Sequence, residues 1–379
     1  MTARKLNIKV GENQIRYKVD WNFLAVIVTI QIVGLIALYS ADHATGHSGH
    51  FFKAQMKWLG IGWVAFLLMA RVNYRTLINF SGVFYGINLV ALALVPFVGK
   101  TVNGSKRWIN LVFFNYQPSE TMKIMVFLFL TSFLARTRLE NLTFKDLILP
   151  TLFIAFPFVF TFLQPDLGTA LLMAAVPATL LIFLKLKPHV LISLVSIFAI
   201  SIPAFWSSGL IRPYQKKRVM NFISPDSDPR GTGYNSIQAK IAIGSGQFLG
   251  KGFLQGSQSQ LEFLPERHSD FIFCVLTEEF GFIGALMALA LFFSLIYLIL
   301  KTAQNSPDRK GALLCIGVAA FIFWHMLINI GMVAGLLPIV GVPLPLMSYG
   351  GSSLLSIVFK SYNFNWSEIF KSSQYSLSI

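Results

Sequence analysis

The sequence predicts an all-α, polytopic transmembrane helical bundle of about ten spans, on three observations. Only 12% of the 379 residues are charged, against roughly 25% in a soluble domain. Hydrophobic residues make up 55% of the chain and the mean hydropathy is +0.63. Apolar runs near the ~20 residues that cross a bilayer recur along its length. A soluble fold would need several wholly buried helices in a row.

The elements follow in order. A basic and polar tail, residues 1–20, precedes the first run at 21–40. That run exceeds the roughly 7–15 apolar residues of a signal-peptide core, so it reads as an uncleaved span. The run 58–70 is short but continues into Arg71, whose charge can snorkel to the headgroups. Runs at 77–99, 121–138, 147–163, 167–185 and 189–206 come next. A long polar segment, about 207–269, separates them from 271–300 and 311–335. A tenth, weaker run starts near Leu344. Residues 21–360 therefore form one transmembrane domain, and 361–379 a polar tail.

Charge sets the orientation. The net charge of +15 comes from 31 Lys and Arg against 16 Asp and Glu. With the N-terminus cytoplasmic, 17 basic residues fall on the cytoplasmic side and six in the short segments opposite. The positive-inside rule thus places the N-terminus inside and the 207–269 loop outside. Basic residues that flank apolar runs suit anionic lipid headgroups. No nucleic-acid module is present, and a nucleic-acid partner is excluded. Cys274 and Cys315 lie in apolar segments without disulfide or metal spacing.

The long loop is not a random linker. Seven glycines between 231 and 256 punctuate a helix-like piece at Tyr234–Ile243, which suggests a partly ordered, membrane-hugging loop. Its GSGQFLGKG stretch fails the phosphate-loop pattern, because Ser245 and Gly252 replace required residues. A bend built for close backbone approach, to a lipid headgroup for example, fits it better. His43, His47 and His50 have metal-like spacing, but DHATGHSGH has the composition of a solvated loop.

The candidate chemistry lies in a few charges. Arg212, Lys216, Lys217 and Arg218 are either a solvated turn or a clamp for a phosphorylated substrate. Glu120 and Lys123, three apart, share a helix face and can pair. Lys106 and Arg107 precede Trp108, a residue suited to the interface. Asp166 sits in a short turn between spans, where it is either a helix cap or a functional group facing protein or water. Asp270 stands at the start of the 271–300 run in LPERHSDFIFCVLTEEFG. Ser269 or Asp270 as an N-cap is the ordinary explanation, and a capping carboxylate would be a weak base. Glu278 and Glu279 follow about 12–13 Å further along the same helix.

Several blocks then resemble one family. GSQSQLEFLPERHSDFIFCVLTEEFG closely resembles the signature of the SEDS proteins of bacterial shape, elongation, division and sporulation. GSKRWI, QPSETMK, FLQPDLGTA, VMNFISPDSDPRGTGYNSIQAKIAIGSG and GLLPIVGVPLPLMSYGGSS agree in order, from about Gly104 to Ser353. The wording before LPE is more similar to the rod-shape branch than to the division branch.

The resemblance implies a peptidoglycan glycosyltransferase that polymerises lipid II on the outer face of the bacterial cytoplasmic (inner) membrane, beside a class B penicillin-binding protein and other elongation-complex proteins. It implies Asp270 as the essential carboxylate, acting as general base or as a metal or orientation residue. Arg107, Lys123, Arg212, Arg218 and Lys240 are the basic candidates for the lipid II pyrophosphate and sugar. Glu120, Asp166, Glu266, Ser348 and Ser352 are the supporting candidates. No cofactor follows from the motifs, and a divalent cation, Mg2+ or Mn2+, is the one candidate. A transporter of lipid-linked precursors and a non-catalytic scaffold are the alternatives. The transporter predicts charges at broken helices, a feature the sequence does not display. The family pattern lapses after GGSSLL, where the apolar run stops at Phe359 and a polar end follows.

Overall fold

A computed structural model of the chain describes residues 20–43, 49–69, 71–102, 105–110, 115–137, 143–183, 187–190, 192–193, 196, 209, 213–224, 233–261 and 263–350. The expected N-terminal tail, most of the 189–206 run, Arg212, Ser352 and the polar C-terminal end lie outside them.

Helices α1 (Trp21–His43), α2 (His50–Met69) and α3 (Tyr74–Val98) lead into a small antiparallel sheet. Its strands are β1 (Lys100–Val102), β2 (Ser105–Asn110) and β3 (Asn115–Tyr116), in the order β1-β2-β3. The register sets Thr101 opposite Lys106 and Ile109 opposite Tyr116. Helices α4 (Pro118–Arg136), α5 (Phe144–Leu163) and α6 (Leu167–Ile182) follow. Three helices occupy the long segment: α7 (Pro213–Ile223), α8 (Tyr234–Ser245) and the one-turn α9 (Ser257–Gln260). Finally α10 (Ile272–Gln304) and α11 (Arg309–Val333) complete the described helices. The described residues are mostly helical, as the all-α expectation has it, with this small sheet added, and the described part of the long segment carries helices, as its glycine pattern suggests.

Local sequence explains the helix starts. Pro118 stands in the first turn of α4 with Glu120 beside it, where an absent N–H and a negative charge are both favourable. Thr143 and Asp146 form a capping box on α5. Asp166 caps α6 by accepting from the Thr169 amide at 3.2 Å. Asp308 caps α11 through the Gly311 amide at 2.8 Å. Pro96, Pro150, Pro157 and Pro177 lie inside helices, as neighbouring helices permit in membrane bundles.

Six of these helices are long and apolar enough to cross a membrane, and α6 is a shorter apolar one. Their outward faces are apolar rather than polar. Phe80, Phe84, Ile87 and Leu94 of α3 are exposed, as are Ile148, Leu152, Phe156 and Val159 of α5. Such a surface suits hydrocarbon, since every backbone bond is closed within the helix. The centre is packed by Ile30, Leu38, Phe127, Leu130, Phe292 and Met332, among others.

One helix departs from regularity. Gly281 has φ 63° and ψ −157°, so α10 is two pieces joined at a break. The short piece, Ile272–Phe280, is buried through Glu279, whereas Phe282, Ile283, Leu286 and Met287 beyond the break are exposed. A broken helix with buried carboxylates was not expected. Its open backbone groups are met by the glycine loop. The Lys251 and Gly252 amides donate to the Glu278 and Glu279 carbonyls, both at 3.0 Å. The Phe282 amide donates to Gln247 O at 2.9 Å and the Ile283 amide to Phe248 O at 3.3 Å. One loop thus caps both helix ends at the break. Gly250 (φ 85°) and Gly281 face each other, and a Cβ on either would strike the opposite backbone. The close approach expected of GSGQFLGKG is real, and its partner is protein backbone.

Candidate active site

The two ends of the short α10 piece sit near the ends of long helices. Asp270, two residues before it, has its carbonyl held by Asn329 Nδ2 at 2.9 Å, near the C-terminal end of α11. Glu279, at its far end, accepts from Ser40 Oγ near the C-terminal end of α1. Both ends therefore lie at one end of the bundle, and the glutamates are not carried deep into it.

Asp270 is not a cap. Helix α10 starts with Phe271 as its N-cap and with no side-chain cap bond. Ser269 Oγ turns instead to Glu266, at 3.3 Å from its carbonyl oxygen. Among the described residues the half-buried Asp270 carboxylate makes no hydrogen bond. Burial pushes its pKa up to about 7, the Glu266 carboxylate adds to the rise, Arg218 opposes it and Asp166 adds again. The acidic shift expected for a capping carboxylate is thus reversed. Gly341 (φ 72°) lets the 338–344 segment approach so closely that a Cβ there would lie 3.1 Å from Asp270 Oδ2.

Beside this carboxylate a cleft of about 90 Å³ opens between α7, α8 and the segment after α11. Arg218, Asn221, Asn235 and Ser236 supply its polar lining, and Leu337, Pro338 and Ile339 its apolar wall. The wall runs on to Gly341. Lys240, one turn beyond Ser236 on α8, lays its side chain over Gly335. Arg218 and Lys240 therefore stand close to the cleft, where cations could meet an anionic ligand.

The other candidates are engaged in structure. The Arg107 guanidinium donates to Gln164 O at 3.2 Å and to Pro165 O, and pairs with Asp166 Oδ2 at 3.6 Å. Gln117 Nε2 also donates to Asp166 Oδ2, at 3.3 Å. These contacts pin the α5–α6 turn that presents Asp166 towards Asp270. Lys123, 2% exposed, pairs with Glu120 at 2.8 Å and lies 3.5 Å from His325 Nε2. Ser348 Oγ accepts from the Leu344 amide at 2.8 Å and holds the 344–348 turn. Glu266 is exposed and lies 3.4 Å from His268 Nε2. His43 and His50 are on separate helices, and His47 is outside the described residues.

Residues the sequence did not single out complete the site. Asn329 bridges the carbonyls of Asp270 and Val342, the latter at 2.6 Å. A lone buried amide inside LINIG was a signal that could have found it, since polar groups within spans are costly. Asn221, Asn235 and Gly341 carried no such signal.

A polytopic helical membrane protein with a half-buried carboxylate near an arginine-lined cleft at one end of its bundle is the class that fold and site define. Residues 20–361 match the model of the FtsW/RodA/SpoVE cell cycle protein family, and the chain belongs to that family. It is 38% identical over 345 residues to peptidoglycan glycosyltransferase MrdB of Escherichia coli (strain K12), covering 89% of this chain and 90% of that one. It is 36% identical over 347 residues to stage V sporulation protein E of Bacillus subtilis (strain 168), covering 89% and 94%. A chain from a structure on the coordination of polymerization and crosslinking by a peptidoglycan synthase complex superposes with TM-score 0.79 at 28% identity, over 91% of this chain and 96% of that one. The rod shape determining protein RodA of Thermus thermophilus gives 0.67 at 27%, over 92% and 96%.

Proposed function

We propose that the chain is a peptidoglycan glycosyltransferase that polymerises lipid II during cell elongation and that Asp270 is its general base. The observation that carries the base assignment is the Asp270 carboxylate, half-buried and without a hydrogen bond among the described residues, with a pKa pushed up to about 7 and the Arg218-lined cleft near it. A base poised near neutral pH combines a useful ionised fraction with real proton affinity.

In the reaction the 4-hydroxyl oxygen of one lipid II forms a bond to C1 of the sugar at the end of the growing chain. The C1–oxygen bond to undecaprenyl pyrophosphate breaks, and its electron pair leaves with the pyrophosphate. The hydroxyl proton passes to Asp270. Arg218 and Lys240, with Arg212 as a further candidate, stabilise the charge that grows on the leaving group. Arg107 and Asp166 brace the α5–α6 turn, and Glu120 and Lys123 pair on α4. Ser348 supports the 344–348 turn, and Ser352 remains a supporting candidate on the family pattern.

Among the described residues no group of three His, Cys, Asp or Glu could hold a metal ion. A divalent cation, Mg2+ or Mn2+, would in this reading arrive with the lipid II pyrophosphate rather than reside in the protein. Such an ion would add charge neutralisation at the leaving group.

The site end belongs to the outer face of the cytoplasmic membrane, with the N-terminus inside, on the distribution of Lys and Arg. Residues 21–360 act as one transmembrane domain. A class B penicillin-binding protein is the proposed partner, in keeping with the synthase complex that shares the fold.

The break at Gly281 favours the transporter reading, because discontinuous helices carrying charge mark many transporters. Against it, Glu278 and Glu279 are engaged by Lys251, loop amides and Ser40. The test is purified protein with its partner and labelled lipid II, comparing native with Asp270→Ala and Asp270→Asn. Glycan chains from the native protein and neither variant are expected. Equal polymer from all three would remove Asp270 from catalysis, and lipid movement without polymer would favour transport.

A further inference from the structure

The break at Gly281 gives the short α10 piece a C-terminal end of its own, and two carboxylates stand on it. Glu278 and Glu279 occupy the last turn before the break, 0% and 1% exposed. Negative charge at a helix C-terminus opposes the helix dipole, so this placement is unfavourable on local grounds. Three sets of contacts offset it at Glu278. The Lys251 ammonium pairs with Oε1 at 2.8 Å. The Gln258 amide donates to Oε1 at 2.8 Å, and the Ser259 amide donates to Oε2 at 3.0 Å. Gly256 packs against the carboxylate so tightly that a Cβ there would lie 2.8 Å from Oε2.

One buried side chain thus gathers Lys251 and the first turn of α9 onto the end of the short helix. The same helix is tied at its other end by Asn329, through the Asp270 carbonyl. Between these two ties lie six residues of regular helix, Ile272–Thr277, too short to bend, so a shift at one end moves the other. The charged groups that face Asp270 are Glu266, Arg218 and Asp166. None of them lies on the short helix, and its attitude sets their separation from the carboxylate.

We infer that Glu278 is a positioning residue for Asp270: through its ion pair with Lys251 and its bonds to the loop amides it fixes the short helix, and with it the half-buried setting of the Asp270 carboxylate. This rests on the glycosyltransferase reading above. Glu278 touches neither the cleft nor the reacting atoms, and it acts only through the helix. The Lys251 side chain is 26% exposed, so its replacement disturbs the buried core little.

The test is the pH profile of glycan synthesis by the full protein with its partner, for native, Glu278→Gln, Lys251→Met and Lys251→Arg, with thermal melting of each. Glu278→Gln keeps an acceptor for the loop amides and loses the charge, and Lys251→Met loses the pair from the other side. In both, the acid limb of turnover is expected to move down by about one pH unit as water reaches Asp270, with turnover falling about tenfold and KM changing less than twofold. Lys251→Arg restores the pair and should return the limb to its native position. A purely structural role predicts lower activity in proportion to lost folded protein and an unmoved limb, and that result in both variants overturns the inference. Should Glu278→Gln not fold, the Lys251 pair of variants decides alone. A native protein that makes no glycan fails the glycosyltransferase reading, whereas native synthesis with an unmoved limb fails this inference only.

Discussion

Asn329 joins two segments of the site by a single amide: its Nδ2 donates to the Asp270 carbonyl at 2.9 Å and to the Val342 carbonyl at 2.6 Å. The side chain is fully buried, and its removal takes the partner from both carbonyls. Asn329→Ala is expected to cost about 1–3 kcal/mol for each carbonyl left unpaired and to lower glycan synthesis at least tenfold. Chemical denaturation and the lipid II assay together check this; full activity with native stability would show the bridge to be dispensable.

Gly341 keeps the neighbouring segment close to the carboxylate. Gly341→Ala meets a left-handed φ of 72°, which costs an L-residue about 1–2 kcal/mol. Its methyl would also press on Asp270 Oδ2. Turnover should fall more than stability. Equal losses in both would mean that strain, rather than displacement of Asp270, is the cause.

The raised pKa of Asp270 makes two signed predictions. As a base it must be ionised, so turnover should rise with pH through about 7. In folding the sign is opposite. A carboxyl whose folded pKa exceeds its unfolded value of about 4 contributes stability that is full below pH 4 and lost as the pH rises through 7. Asp270→Asn cannot ionise. It should therefore melt higher than native at pH 8, by a margin that shrinks towards pH 5, while making no glycan. A variant that melts lower at pH 8 would contradict the burial argument.

Arg218 and Arg107 should separate cleanly. Arg218 lowers the Asp270 pKa and lines the cleft, so Arg218→Ala should reduce synthesis more than tenfold and move the acid limb upward. Arg107 is committed to Asp166 and two carbonyls. Arg107→Ala should cost about 1–3 kcal/mol of stability, the scale of leaving buried polar groups unpaired. Steady-state kinetics at several pH values, with melting curves, distinguishes them.

Much of this architecture is legible in hydropathy alone, because burial and lipid contact both select apolar residues. The runs 77–99, 147–163 and 311–335 correspond to Tyr74–Val98, Phe144–Leu163 and Arg309–Val333. Helix α2 begins at His50, well before the apolar run at 58, since its first two turns mix His50, Lys53, Gln55 and Lys57 with apolar residues. There Gln55 binds Ser348 O at 3.3 Å, a tertiary contact that leaves no apolar period. The sheet at 100–116 was hidden for a related reason: strands this short carry no alternation to read. The break at Gly281 lies inside a stretch that any helix would accept, and only the packing of Gly250 against it shows why glycine is there. Within the site, Asp270 was visible through its motif. Its setting was not, because Ser269 and Asp270 before an apolar run are what a cap looks like, and tertiary burial decided otherwise.

The glycine break also has a mechanical consequence. From Phe282 to Gln304 the second piece of α10 is about 34 Å long, close to the ~30 Å of a hydrocarbon core. A helix of that length answers changes in bilayer thickness by tilting. Had α10 been one straight rod, its first turns would have swung with that tilt like the tip of a lever and carried Asp270 along. The break at Gly281, clasped on both sides by the 247–252 loop, instead sets the short piece on its own axis, so the carboxylate's station follows the loop rather than the line of the shaft.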